Sequence, residues 1–128
     1  MTVAEAAIAE ARLWIGTPYL HQGSVRGAGT DCLGLLRGIW RTLFGDEPEA
    51  VPAYTEDWAE PDHREVLHAA ANRWLVPKRL NDEAVGDVLL FRMRDGCIAK
   101  HLGLQSHVGS HPRFIHAYMG HGVIESSL

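Results

Sequence analysis

The chain has 128 residues, enough for one compact domain and too few for two independent cores. With 46% hydrophobic and 22% charged residues it fits an ordinary globular composition, which argues against disorder and against a membrane-inserted chain. A formal charge of -4 without a Lys/Arg cluster offers no footprint for phosphate backbones, so nucleic acid is not an expected partner.

At the N-terminus, Thr2 followed by Glu5 has the form of a capping box, and Val3, Ala7, Ile8, Ala11, Trp14 and Ile15 keep helical spacing. The spacing predicts a helix over about 3 to 15, with Gly16 as its cap and Pro18 as a stop. Glu5, Glu10 and Arg12 punctuate this stretch, so it lacks the basic-then-apolar pattern of a secretion signal, and synthesis in the cytoplasm is expected. The glycine-rich "YLHQGSVRGAGT" that follows reads as loop. A second helix is predicted from near Cys32 to Phe44, with Leu35, Leu36, Ile39, Trp40 and Leu43 on one apolar face and Gly45 closing it. Gly34 and Gly38 inside it cost about 1 kcal/mol each relative to Ala. Their presence predicts close packing against a neighbouring backbone.

Residues 45 to 61, "GDEPEAVPAYTEDWAEP", hold three prolines and no surviving period, and are expected to form an irregular wall or lid of a cleft. Asp57 and Glu60 are candidate caps for a third helix over roughly 61 to 75, ended by Pro77. After about residue 84 come short apolar or alternating runs, "AVGDVLLFRM", "CIAKHLGLQ", "RFIHAYM" and "GVIES", separated by turn signals. They predict an antiparallel meander of about four strands, and helices followed by strands argue an α+β domain.

Two cysteines are too few for a disulfide framework, so Cys32 and Cys97 read as free thiols. Cys32 falls in the first turn of the second predicted helix, where unpaired amides and the macrodipole favour negative charge. A thiolate gains from both, and a nearby imidazolium lowers its pKa further below the ordinary thiol range. The same amides suit the oxyanion of a tetrahedral intermediate. His101 and His116 lie on adjacent predicted strands, so one ring can serve the sulfur as acid and base while the other orients it. Against this stands the common role of such a cysteine as a small buried hydrophobe.

The segments "WIGTPYLHQGS" and "TDCLGLLRGIW", then "VGDVLLF", "KHLGL" and "FIHAYMGHGVIES", resemble in order the NlpC family of cell-wall cysteine peptidases, most nearly its phage and gene-transfer-agent branch. The resemblance implies a papain-like fold with N-terminal helices on a small antiparallel, barrel-like sheet of about four to six strands. It implies Cys32 as nucleophile, His101 as base and His116 as the residue that orients the base. It further implies hydrolysis of peptidoglycan stem peptides, typically after D-γ-glutamate and before diaminopimelate, through a thioester and with no metal or organic cofactor. Tyr19 matches a cleft tyrosine near the nucleophile, and Asp31 matches an acidic residue that in some members binds the amine of an N-terminal L-Ala; Asp31 also suits a simple N-cap. Leu33 stands where many members have serine, and His21, Gln22 and Gly23 replace the common "WGG", making this loop more polar.

Three rival classes remain at this stage. His107, His111, His116 and His121 recur at short intervals, but most fall in predicted turns, so no metal site is expected. The domain could be a non-catalytic wall-binding or tail-structural module, or an amidase or acyltransferase sharing the acyl-enzyme. The resemblance points to carriage in a phage-like particle with tail proteins as partners, the cell wall as target, and cytoplasmic recycling of wall fragments as the alternative. The chain stops at "VIESSL", and a missing terminal strand would leave a sheet edge open.

Overall fold

The computed structural model describes residues 1–51, 53–55, 65–92 and 95–128. Helix α1, Val3–Trp14, starts at the predicted capping box: the amide of Glu5 donates to Thr2 Oγ1 and that of Thr2 to Glu5. Its apolar stripe turns Ala7, Ala11 and Trp14 inward. The segment expected to be loop carries a two-stranded ribbon, β1 Ser24–Val25 and β2 Gly29–Thr30, turned through Gly27 at φ 82°. Strands this short leave no alternation to detect. Helix α2 spans Cys32–Phe44, as predicted, and ends at Gly45 with φ 88°.

Of the glycines inside α2, Gly34 meets the predicted neighbouring backbone, whereas Gly38 meets a side chain. A Cβ at Gly34 would lie 1.7 Å from the carbonyl oxygen of Gly23, and one at Gly38 would lie 2.1 Å from the Trp14 ring. Fully burying Leu35 and Ile39, at about 1.5–3 kcal/mol each, outweighs the helical penalty of two glycines. Helix α3 is shorter than expected, Val66–Trp74 rather than 61 to 75, and the proposed caps Asp57 and Glu60 lie outside the described residues. Glu65 stands at the cap position without capping; its carboxylate accepts from the amide of Ala99 and from Arg92. A single 3-10 turn, Leu80–Asp82, leads to the sheet.

Strands β3 Val88–Arg92, β4 Ala99–His107, β5 Arg113–Tyr118 and β6 Gly122–Ser127 form an antiparallel meander in the order β3-β4-β5-β6. The expected α+β architecture, helices on an antiparallel sheet of about four strands, is present, and among the described residues the sheet does not close into a barrel, with no pairing between β3 and β6. The segment after α1 instead covers the free edge of β6, where Gly16 donates to the Val123 carbonyl and Val123 donates to that of Thr17.

One sheet face packs on the helices. Leu104, Ile115, Ala117 and Val123 join Ala11 and Trp14 of α1 and Leu35 and Ile39 of α2 in the main core. A smaller cluster gathers Cys32, Leu67, Ile98 and Leu102, with Tyr54 packed against it. The nucleophile candidate thus sits where α2, α3 and β4 converge.

Candidate active site

Cys32 is the first residue of α2, and Asp31 is its N-cap. Asp31 Oδ1 accepts from the amide of Gly34 at 2.7 Å, which fixes where the helix begins. Its other oxygen accepts from the amide of Gln22 at 2.7 Å and from the hydroxyl of Tyr54. The carboxylate is therefore engaged by donors of its own chain, and the residue is only 2% exposed.

The thiol is 7% exposed. The amides of Leu102, Leu33 and Cys32 itself donate to the sulfur and favour its ionised form. Burial outweighs them, with help from the Asp31 charge, and pushes the thiol up to about 11. This corrects the sequence expectation of a depressed thiol pKa. A helix start does aim amides at the sulfur, but the apolar packing over it was not visible in the residue pattern.

Tyr54 is central to that packing. Besides the bond from its hydroxyl to Asp31, its carbonyl accepts from His21 Nε2 at 2.9 Å and from Gln22 Nε2 at 2.7 Å. The polar residues that distinguish this loop in sequence thus fasten the segment after α2 against the cluster that holds the thiol. The Tyr54 hydroxyl is held protonated, first by burial and then by the Asp31 carboxylate. An apolar cavity of about 210 Å³ lies alongside, between α2, α3, β3 and β4, with Leu36, Trp40, Leu67 and Trp74 among its walls.

His101 and His116 lie on the face of the sheet opposite the main core. Their rings are joined, His101 Nε2 to His116 Nδ1 at 2.8 Å, and His116 Nε2 lies 2.9 Å from Ser126 Oγ. Phe91, Phe114 and Tyr118 surround the pair with ring contacts. Burial lowers the pKa of both histidines, and the neighbouring charges of His101 and His121 help lower His116 to about 4. Both rings are thus neutral at pH 7, as a general base requires.

The sequence-predicted residues are brought together unevenly. The two histidines form a hydrogen-bonded pair. Cys32 meets β4, the strand that carries His101, one residue beyond that histidine, through the amide of Leu102. Among the hydrogen bonds of the described residues, none joins Cys32 to His101. Tyr19 is half-buried, bridges to Thr30 and packs on the main core. His107 is paired with Glu125, His111 with Ser110, and His121 stacks on Tyr118. Among the described residues no group of three metal-ligating side chains converges. Sequence reasoning did not single out Tyr54 or Ser126; only the register of the β5–β6 pairing would have pointed to the serine.

This arrangement of helices packed on an antiparallel meander has a solved counterpart. The crystal structure of the NlpC/p60 domain of the peptidoglycan hydrolase SagA superposes on this chain with a TM-score of 0.65 at 23% identity. The match covers 97% of this chain and 88% of that one, and it establishes the fold. No family model and no curated protein matches the chain.

Proposed function

We propose that the protein is a cysteine endopeptidase that cleaves peptidoglycan stem peptides, with Cys32 as nucleophile, His101 as base and His116 as the residue that orients it. The observation that carries this is the hydrogen bond between His101 of β4 and His116 of β5, with the amide that follows His101 on β4 meeting the sulfur at the start of a helix in an NlpC/p60 fold. The D-γ-glutamyl–diaminopimelate bond is the proposed scissile bond, on the sequence resemblance, and a phage-like particle acting on the cell wall is the proposed setting.

In this mechanism the buried neutral thiol is the resting state, not a preformed ion pair. The Tyr54 segment moves aside as the stem peptide enters, and His101 takes the thiol proton while sulfur attacks the carbonyl carbon. First-turn amides of α2 receive the oxyanion. Collapse expels the amine, protonated by His101, and leaves a thioester. Water then attacks the thioester with His101 again as base, releasing the acid and the free thiol.

One observation favours a second reading, a non-catalytic wall-binding module: the thiol is buried and its pKa raised. Mass spectrometry of purified muropeptides incubated with the wild type and with Cys32→Ala separates the two. Cleavage by the wild type alone is the expected result; no cleavage by either, with retained wall binding, supports the module.

A further inference from the structure

We propose that Ser126 is a positioning residue that holds His116 in the tautomer with its proton on Nε2, and so prepares His101 to accept a proton at Nδ1. This rests on the peptidase reading for its kinetic consequence, but the tautomer itself is a property of the folded chain.

The geometry is set by the sheet. His116 pairs with Ile124 across β5–β6, so Ser126, two residues further along, lies on the same face and diagonally opposite. Its hydroxyl is 2.9 Å from His116 Nε2, and on the far side of that ring Nδ1 is 2.8 Å from His101 Nε2. Three polar groups on three successive strands therefore form one line.

The direction of that line follows from proton counting. Once His101 has taken a proton both of its nitrogens are donors, so its Nε2–H must point at a lone pair on His116 Nδ1. Neutral His116 must then carry its proton on Nε2. That donor is buried in the sheet and needs an acceptor, which Ser126 Oγ supplies. The reverse pattern, with Ser126 donating to Nε2, puts a proton on His116 Nδ1 and leaves His101 Nε2 as the acceptor. Neutral His101 would then hold its proton on Nδ1 and could not serve there as a base. Among the described residues, the other titratable groups facing the pair are Tyr118 and His121, by ring contact or charge.

The test is nitrogen NMR of histidine-labelled protein, which distinguishes protonated from bare ring nitrogens, combined with turnover of muropeptides. In the wild type, His116 is expected to show a protonated Nε2 and a bare Nδ1. Ser126→Ala is expected to mix the two tautomers and to lower kcat roughly tenfold at unchanged KM, the size expected for one orphaned buried donor in the charged state. It should also shift the acidic limb of the pH–rate profile, and Ser126→Thr, which keeps the hydroxyl, should restore all three. A wild-type His116 with its proton on Nδ1 overturns the proposal, even if no variant folds. So does a Ser126→Ala protein with unchanged tautomer, kcat and pH profile. If Cys32→Ala cleaves like the wild type, or neither cleaves, the peptidase reading fails while the tautomer measurement still decides the role of Ser126.

Discussion

The hydroxyl of Tyr54 donates to the carboxylate of Asp31, the residue immediately before Cys32. A side chain from the connection after α2 is thereby tied to the cap of the helix that carries the thiol. Since burial is the largest cause of the raised thiol pKa, removing the covering ring should hydrate the sulfur. Tyr54→Ala is expected to lower the apparent pKa of Cys32 from about 11 toward the ordinary thiol value of 9.0, and to speed its alkylation at neutral pH. The pH dependence of iodoacetamide labelling measures both, and an unchanged profile would show that Tyr54 is not the cover.

Stability should fall at both ends of the pH scale. His116 titrates near 4 in the folded protein against an ordinary 6.5, so the unfolded chain binds the extra proton first as pH drops through that window. The folded state loses ground there. Cys32 keeps its proton up to about 11 against an ordinary 9.0, so the unfolded chain ionises first as pH rises between those values, and stability falls again. At about 1.4 kcal/mol per pKa unit, each limb is worth on the order of 3 kcal/mol. Urea unfolding across pH should show a plateau between the limbs, and Cys32→Ala should flatten the alkaline one.

Gly34→Ala should be among the most damaging single-methyl additions in the chain. The new carbon would collide with the Gly23 carbonyl oxygen, a backbone atom with no rotamer through which to retreat. A loss of about 1–3 kcal/mol is expected, by denaturant titration, together with reduced cleavage because the shift falls at the start of α2. Gly38→Ala, which meets the Trp14 ring rather than backbone, should destabilise while leaving the helix start in place.

Cys97→Ala should leave cleavage unchanged. The residue lies in the turn before β4, and the described interaction it makes is through its carbonyl, which accepts from Arg92 Nη1 at 2.6 Å. A loss of activity comparable to that of Cys32→Ala, in the muropeptide assay, would mean the wrong thiol has been assigned.

What the residues announced in advance was whatever has a period. The stripe through Leu35 and Ile39, the capping box at Thr2 and the alternation after residue 84 each specify an element with little help from the rest of the chain. The histidine pair was legible for the same reason, since adjacent strands bring their same-face residues together. Tyr54 was not, because it belongs to a proline-rich stretch whose course is decided by tertiary contacts. Nor was the state of the thiol: the amides at a helix start are local, but desolvation depends on what α3, β4 and Tyr54 place above the sulfur. Ser126 needed the register between β5 and β6, which the runs "RFIHAYM" and "GVIES" do not state. The open edge of the sheet is likewise settled by a distant partner, Gly16 on the Val123 carbonyl.

The two imidazoles are 15 positions apart in sequence and share one hairpin, whereas the sulfur arrives from a helix far upstream. Closing so short a loop is entropically cheap and fast, so the rings can find each other before α2 has docked. Until α2 docks, the chain carries an assembled histidine pair while the sulfhydryl is still open to solvent. Docking of the helix is then also the step that takes the sulfur out of the reach of oxidants.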